Sequence, residues 1–365
     1  MRNSRKSLNS WTEINLNAIL SNKHLIESRL PKGCKFCAVI KADAYGHGAL
    51  RVSKELEKDG VDYFGVANIN EAISLRNSGI ATPIIILGYT NPIFVDSLIK
   101  YDLTQTCFSK VYAEQLLENL HLKDKLRLHI KINSGMNRIG FNVSDESVNE
   151  VLIICKNPRF DVEGIFTHFY GADTRKGVHE QFKLFSNFIK LVEESGFKFK
   201  IKHCCNSAAT INYPEYNMDM VRVGASLYGI NVTDKIKVEE AMSLKSRIVQ
   251  IFDAKPGDSI SYGGRFVVDK KMKVAVICVG YADGVRRSNF DKLFVTIGKK
   301  KCKVLGTICM DQLMVDVSNV KCKENQEVVV FGRGGESIEK VAENNSTIAY
   351  EIMCSILPRA KRIYK

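Results

Sequence analysis

The chain has 365 residues, of which 45% are hydrophobic and 25% charged, and it carries a formal net charge of +13. This is the composition of a globular protein long enough for one large domain and a smaller one, and no apolar stretch is long enough to span a membrane. The basic residues are scattered instead of gathered on one face with aromatic residues, so the charge favours an anionic small substrate or cofactor over a nucleic acid.

The N-terminus is basic at residues 1–6 and then leads into a predicted strand at residues 11–14, without the apolar core of a secretion signal. The chain has 11 cysteines, and an odd number argues against a closed disulfide framework. Cys34 and Cys37 fall in or beside a predicted buried strand, so we interpret them as core thiols and not as metal ligands. We therefore expect a cytoplasmic enzyme without a metal.

Apolar strands and amphipathic helices alternate along the first part of the chain. Eight strands are predicted, at residues 36–41, 63–67, 83–87, 103–108, 126–132, 161–168, 199–205 and 218–223. Helical segments between them include residues 50–58, 71–77, 112–120 and 180–194. Eight such units in succession predict an α/β fold with an N-terminal (β/α)8 TIM-type barrel. A doubly wound open sheet is the main alternative, but it would not need eight units.

The pattern changes after about residue 231. From residue 241 onward the apolar runs are short and β-branched, and turn signals such as residues 255–258 and 331–335 join them. This spacing predicts a smaller, mostly β C-terminal domain, with one helix near residues 337–344. We place the domains at residues 1–235 and 236–365.

Chemically active side chains stand at the carboxyl ends of five of the eight predicted strands. They are Lys41 with Tyr45, Lys131 with Arg138, His168, His203 with Ser207, and Arg222 with Gly224. Because active sites of barrels form at this end, these residues are candidates for one site. Taken alone, His168 and His203 could equally be core histidines with satisfied hydrogen bonds, as we interpret His121 and His129.

The loops after the last two barrel strands have the small residues that a phosphate site requires. They are residues 206–209 (Asn-Ser-Ala-Ala) and 224–226 (Gly-Ala-Ser), where backbone N–H groups can approach an anion closely. A strand-end lysine that faces such a cradle indicates a phosphorylated aldehyde held as a Schiff base, which is pyridoxal 5'-phosphate. Arg222 lies where the pyridine nitrogen could be reached.

Residues 38–48 (AVIKADAYGHG) resemble the cofactor attachment motif of the alanine racemase family, a fold-type III pyridoxal phosphate-dependent family. Seven further stretches match the family in order along the chain, at residues 133–140, 166–168, 206–209, 222–224, 261–263, 280–284 and 309–312. The resemblance implies a barrel followed by a β domain, and a homodimer with shared active sites.

The resemblance also implies a role for each matching residue. Lys41 would bind the cofactor and serve one face of the substrate, and Tyr262 from the partner subunit would serve the other, since racemisation needs one proton-transfer group on each face. His168 would connect this tyrosine to Arg222. The other implied cofactor contacts are Tyr45, Arg138, His203, Ser207, Arg222, Gly224 and Ala225. Those to the substrate are Arg138, the Met310 backbone from the partner chain, Asp311 and Tyr281.

Some of these assignments have simpler readings. Tyr281 could be a packing aromatic, and Asp311 could cap a turn. Lys131 matches a lysine that is carbamylated in many members of the family, where the added carboxylate would hold Arg138 in place.

The activity that the resemblance implies is the interconversion of L-alanine and D-alanine, which supplies D-alanine for peptidoglycan. One departure, Pro358 where some members have tyrosine, leaves a serine or mixed alanine/serine racemase open, because a small pocket does not strongly reject a hydroxyl group. A serine racemase domain excised from a membrane-tethered protein also remains open. A non-catalytic pyridoxal phosphate-binding protein or a fold-related decarboxylase would not need the patterns at residues 261–263 and 309–311.

Overall fold

The computed structural model of the protein describes residues 8–365, so the basic stretch at residues 1–6 lies outside the described part. The chain divides into two units. One contains residues 20–44 and 48–238, and the other contains residues 8–19, 45–47 and 239–365. We refer to them as the barrel unit and the β unit.

In chain order the strands are β1 (Ser10–Ile14), β2 (Lys35–Val39), β3 (Tyr63–Val66), β4 (Ile84–Ile86), β5 (Leu103–Cys107), β6 (Leu126–Asn133), β7 (Phe141–Asn142), β8 (Phe160–Phe166), β9 (Ile201–His203), β10 (Met220–Val223), β11 (Met242–Ala254), β12 (Ser259–Ile260), β13 (Phe266–Val267), β14 (Met272–Ile277), β15 (Phe294–Ile297), β16 (Lys300–Leu305), β17 (Leu313–Asp316), β18 (Glu327–Gly332) and β19 (Lys361–Tyr364).

The helical segments are α1 (Leu16–Glu27), α2 (Lys41–Tyr45), α3 (Ala49–Lys58), α4 (Ile69–Asn77), α5 (Val95–Lys100), α6 (Lys110–Asn119), α7 (Asp145–Lys156), α8 (Val178–Glu194), α9 (Ser207–Asn212), α10 (Ile338–Asn344) and α11 (Ala349–Cys354). Within residues 8–365, none of them is both long and apolar enough to cross a bilayer.

The barrel unit is built on eight parallel strands in the order β2, β3, β4, β5, β6, β8, β9, β10, and β10 pairs again with β2. Between β9 and β10 the backbone N–H groups of Asp219 and Arg222 donate to the carbonyls of Lys202 and Cys205, each at 3.0 Å. All eight predicted strands are present. Their apolar runs are buried, as expected for strands covered on both faces. The prediction of a (β/α)8 barrel is confirmed.

Side-chain caps define where several barrel helices begin. The side chains of Asn68, Ser109 and Ser144 accept from backbone N–H groups in the first turns of α4, α6 and α7. Such caps satisfy donors that have no partner inside the helix. The helices therefore begin directly after the loops that follow the strands, which keeps those loops short.

The β unit is a mostly antiparallel sheet organised by the long strand β11. The N-terminal half of β11 pairs with both β1 and β18, and its C-terminal half pairs with β14. The strand predicted at residues 11–14 is thus part of this sheet and not of the barrel. Ala254, Ile260, Met272, Val274 and Leu305 belong to its apolar core. The mostly β character of the C-terminal domain is confirmed; α10 matches the one predicted helix, and α11 was not predicted.

Gly46, in the short segment 45–47 of the β unit, adopts a backbone conformation that only glycine accepts readily. Its φ is +80°, and a Cβ atom there would lie 2.3 Å from the carbonyl oxygen of Met353. The Nε atom of Arg362 donates to the Gly46 carbonyl at 2.6 Å. The glycine of the Tyr45-Gly46-His47 stretch is therefore needed both for its dihedral angles and for this close approach.

We expect Gly46→Ala to lower the free energy of unfolding by about 2–5 kcal/mol, because it combines a left-handed residue with an overlap against backbone. Gly60→Ala is the matched control, since Gly60 has φ +79° with no atom within 4 Å of its added Cβ. It should lose only about 1–2 kcal/mol. Denaturant unfolding of the three proteins measures the difference, and equal losses would contradict the close approach at Gly46.

Candidate active site

Lys41 follows β2 and begins α2, a short helical turn of unusual handedness. Ala42, Asp43, Ala44 and Tyr45 all have φ between +50° and +55°, so the turn is left-handed. For L-residues this conformation costs about 1–2 kcal/mol per residue, and neighbouring contacts must stabilise it. The turn directs the chain from the end of β2 into the glycine-rich segment before α3.

Two carboxylates hold this left-handed turn. The Glu71 carboxylate accepts from the backbone N–H of Ala42 at 2.8 Å and from that of Ala67 at 2.7 Å, so it ties the turn to the end of β3. The Asp43 carboxylate accepts from the N–H of Ala49 at 2.7 Å and thereby caps α3. Glu71 was not among the predicted site residues.

Four basic residues lie close together at the carboxyl ends of the barrel strands: Lys41, Lys131, Arg138 and Arg222. Their proximity is evident at Lys131, where burial lowers the pKa to about 7 and the charges of the other three add to this effect. The Lys131 Nζ atom is 5.3 Å from the centre of the Phe166 ring. Positive charge concentrated in this way is suited to bind anions. Lys131 loses its proton more easily than an ordinary lysine.

Arg222 is buried at the end of β10 with four neutral acceptors. Its Nη2 atom lies 2.8 Å from the carbonyl of Thr167 and 3.1 Å from that of Cys204, and its Nη1 atom lies 2.9 Å from Nδ1 of His203. Nδ1 of His168 is at 3.4 Å from Nη2. Burial lowers the pKa of Arg222, but a guanidinium remains protonated and can only donate hydrogen bonds.

Both histidines beside Arg222 have pKa values well below the usual range. Burial is the main cause for His168 and His203, and the positive charge of Arg222 adds to it. The two imidazoles are therefore neutral at physiological pH and offer Nδ1 as an acceptor to the guanidinium. His203 also stacks on Phe166, with ring centres 4.8 Å apart.

Ser207, Gly224 and Ala225 come together where the loops after β9 and β10 meet. The Ser207 hydroxyl accepts from the backbone N–H of Gly224 at 3.0 Å and lies 3.5 Å from that of Ser226. The Ser226 Oγ atom is buried and has no hydrogen-bond partner within the described residues. Backbone donors and an unpaired hydroxyl thus converge in the predicted phosphate-binding region.

Arg138 is exposed on the loop that follows β6. The Asn133 side chain fixes this loop by accepting from the backbone N–H of Asn137 at 2.8 Å and of Gly135 at 3.3 Å. Gly140 has φ +139°, and a Cβ there would lie 2.7 Å from the Asn133 nitrogen. These contacts hold the loop backbone in one conformation, and the Arg138 side chain on it remains exposed.

The remaining predicted residues belong to the β unit. Tyr262 is 68% exposed, on a short 3-10 turn that follows Ser261, whose φ is +67°. Thr307 donates to the Tyr262 carbonyl at 3.0 Å, and the Ser261 hydroxyl donates to the Thr307 carbonyl. Tyr45 packs beside Tyr350, with ring centres 6.0 Å apart, and burial raises its pKa.

Tyr281, Met310 and Asp311 lie on two loops that are held together. The backbone N–H of Tyr281 donates to the carbonyl oxygen of Cys309 at 3.1 Å. A Cβ atom at Gly280 would lie 2.3 Å from the Met310 carbonyl oxygen, so the two loops approach closely there. Arg359 then clamps both loops, as it forms two hydrogen bonds of 2.9 Å to Asp283 and one of 2.7 Å to Asp311.

Sequence reasoning missed several residues that support this site. Besides Glu71 and Arg359, they include the buried His129 and the partly buried Glu163, which lie 3.4 Å apart. The sequence offers no direct signal for them, because each acts through a partner distant along the chain. Arg359 stands next to the departure at Pro358, which is the one local hint.

Known proteins resemble the chain over both units. Residues 14–232 match the family model "Alanine racemase, N-terminal domain" and residues 241–364 match "Alanine racemase, C-terminal domain". A curated alanine racemase of Oceanobacillus iheyensis is 38% identical over 97% of this chain and 98% of its own length. One of Clostridium acetobutylicum is 40% identical over 97% of this chain and 95% of its own length.

Solved structures agree with these relatives. The alanine racemase of Clostridium difficile 630 has a TM-score of 0.94 at 40% identity, covering 98% of this chain and 96% of that one. The alanine racemase from Bacillus anthracis, solved with bound L-Ala-P, has a TM-score of 0.91 at 30% identity, covering 98% and 95%. The two family models, the full-length relatives and the shared fold show that the chain belongs to the alanine racemase family.

Proposed function

We propose that the protein interconverts L-alanine and D-alanine with pyridoxal 5'-phosphate as its cofactor, bound through Lys41. The observation that carries the proposal is the cluster of Lys41, Lys131, Arg138 and Arg222 at the carboxyl ends of the barrel strands, in a chain similar to alanine racemases over its whole length. Such a cluster suits a phosphorylated cofactor together with a substrate carboxylate.

The residues of the barrel rim fit this cofactor. Ser207, the backbone N–H groups near Gly224 and Ala225, and the unpaired Ser226 hydroxyl provide donors for a phosphate, to which we add Tyr45. When bound, pyridoxal phosphate withdraws electrons from the substrate and makes its α-proton acidic. Arg222 would donate to the pyridine nitrogen and, because a guanidinium has no acceptor, that nitrogen would carry no proton of its own.

Racemisation requires a proton to leave one face of the α-carbon and another to arrive on the opposite face, so two groups are needed. We assign them to Lys41 and Tyr262. The Tyr262 side chain is exposed at the surface of the β unit, which supports its service to a second copy of the chain in a homodimer. The neutral imidazole of His168 accepts from Arg222 at Nδ1, so its proton lies on Nε2, and this N–H could donate to the oxygen of that tyrosine.

We assign the substrate carboxylate to Arg138 and, from the partner subunit, to the Met310 backbone with Asp311, and the entrance to Tyr281. Alanine is the preferred substrate because the full-length relatives are alanine racemases. The departure at Pro358 keeps serine as an alternative substrate, since a small pocket discriminates poorly against one additional hydroxyl group. The expected role is the supply of D-alanine for peptidoglycan. The eleven free thiols support a reducing, cytoplasmic location.

The purified protein loaded with pyridoxal phosphate should racemise L-alanine faster than L-serine in a side-by-side assay by circular dichroism. Lys41→Ala should lose the visible absorbance of bound cofactor and at least about 10³-fold of the activity. Lys110→Ala, an equivalent change at an exposed lysine on α6, is the control and should behave as wild type. A wild-type protein without cofactor absorbance would contradict the proposal. Faster turnover of L-serine would show that serine, not alanine, is the preferred substrate.

A shared site predicts complementation between two inactive variants. When Lys41→Ala and Tyr262→Phe subunits are mixed in equal amounts and exchange freely, half of the dimers are mixed and each of these has one intact site. About a quarter of wild-type activity should therefore return. Tagged subunits purified in tandem verify the exchange. No recovery in proven heterodimers would show that Tyr262 does not act in the partner's site.

We also propose that Lys131 is carbamylated. Its buried amine has a pKa of about 7, so the neutral form that attacks carbon dioxide is abundant at physiological pH. The nitrogen lone pair forms the N–C bond, one carbon–oxygen π bond of carbon dioxide becomes the carboxylate lone pair, and one N–H proton leaves to water, so the neutral amine becomes a negatively charged carbamate. This group would lie near Arg138 and hold it for the substrate.

Protein equilibrated with ¹³C-bicarbonate should show a carbamate resonance by NMR at about pH 8, where Lys131 is mostly neutral. The signal should fall on titration to about pH 6, below the pKa, because the protonated amine does not react. Lys131→Met should lack the signal and have a higher KM for alanine. A resonance that persists in Lys131→Met would assign the modification to another amine.

A further inference from the structure

A line of hydrogen-bonded polar side chains runs from Arg222 through two buried histidines to the partly buried Glu163. Nη1 of Arg222 is 2.9 Å from Nδ1 of His203, and Nε2 of His203 is 2.9 Å from Nδ1 of His129. Nε2 of His129 is 3.4 Å from the carboxylate of Glu163, which also accepts from the Tyr63 hydroxyl at 3.2 Å. Each member stands on a different barrel strand.

The direction of every hydrogen bond in this line follows from its two ends. Arginine can only donate, so Nδ1 of His203 must accept and its proton must lie on Nε2. Nε2 of His203 then donates to Nδ1 of His129, which leaves the proton of His129 on Nε2. This proton points at Glu163, and a carboxylate can only accept.

The barrel makes specific room for this line. A Cβ atom at Gly164 would lie 2.6 to 2.8 Å from three atoms of the His129 ring, so the imidazole occupies the space that any larger residue would fill. Both rings are fully buried. Burial lowers the pKa of His129 and of His203, in keeping with neutral imidazoles. The hydrogen bond from His129 is the main cause of the lowered pKa of Glu163, and the positive charge of Arg127 adds to it.

We propose that Glu163 is a positioning residue for Arg222, acting through His129 and His203. Arg222 and this carboxylate set the proton positions together: as the terminal acceptor, Glu163 satisfies Nε2–H of His129 and so stabilises the arrangement in which an acceptor faces the guanidinium. Without it, the buried Nε2–H of His129 has no acceptor, and this cost makes the Nδ1–H form of His129 competitive. That proton would face Nε2–H of His203 and drive the His203 proton to Nδ1, opposite an arginine N–H.

The consequence for Arg222 is the loss of the hydrogen bond from its Nη1 atom, while the carbonyls of Thr167 and Cys204 still accept from Nη2, so the guanidinium would be held less firmly toward the pyridine nitrogen. This step rests on the proposed function, whereas the tautomers are a property of the protein alone. Loss of one such hydrogen bond corresponds to about tenfold weaker binding of the cofactor that Arg222 would contact.

The test compares wild type, Glu163→Met and Glu163→Gln by ¹⁵N NMR of labelled histidine, assigned with single histidine substitutions. Wild type should show His129 and His203 as neutral Nε2–H tautomers, with or without cofactor. Glu163→Gln should keep this pattern because its amide oxygen still accepts, while Glu163→Met should lose it. Glu193→Met, which removes the partner of Lys202 in the same unit, is the matched control and should behave as wild type.

With pyridoxal phosphate added, Glu163→Met should also shift the visible absorbance maximum and raise the cofactor dissociation constant about tenfold, and Glu163→Gln should do neither. Any other histidine state in the wild type, or an unchanged pattern in Glu163→Met, would overturn the inference, and the wild-type spectrum decides even if that variant does not fold. Failure of the wild type to bind cofactor would instead contradict the proposed function, and the tautomers would remain measurable.

Discussion

A buried guanidinium surrounded by neutral acceptors is the interaction on which the barrel site depends. Arg222 has carbonyl and imidazole partners, and the nearest carboxylate in its hydrogen-bonded line is reached only through two imidazoles. A buried charge without a paired ion costs on the order of several kcal/mol. Lys131 and Arg138 add positive charge nearby. A phosphate and a carboxylate bound at this rim would offset the cost, which links the stability of the barrel end to its ligands.

The left-handed turn at Ala42–Tyr45 shows the same principle in the backbone. Four residues without glycine adopt positive φ, at a cost of about 1–2 kcal/mol each. The carboxylates of Glu71 and Asp43 recover part of this cost by accepting backbone N–H groups at either side of the turn. The strain fixes the geometry in which Lys41 leaves β2, and strained backbone of this kind is concentrated at functional sites.

The barrel and the strand-end residues could be predicted because each depends on a local pattern. The run ending at Lys41 and the small residues at Ser207 and Gly224 are visible within a few positions. The left-handed turn could not be predicted, because nothing in Ala-Asp-Ala-Tyr disfavours a right-handed one. The first strand was assigned correctly as a strand, but its place in the β unit depends on pairing with residues more than 200 positions later.

The line from Arg222 to Glu163 was invisible for a related reason. His129 and His203 are 74 residues apart, and the pairing of β6 and β9 with the two edges of β8 brings Nδ1 of His129 to 2.9 Å from Nε2 of His203. Once formed, the line allows a single arrangement of protons, because an obligate donor stands at one end and an obligate acceptor at the other. A protonated imidazole would turn a donor toward either the guanidinium or its neighbouring ring. Burial lowers the pKa of both histidines and the charge of Arg222 adds to this, and the hydrogen-bond polarity set by Arg222 and Glu163 then fixes which nitrogen of each neutral ring carries the proton.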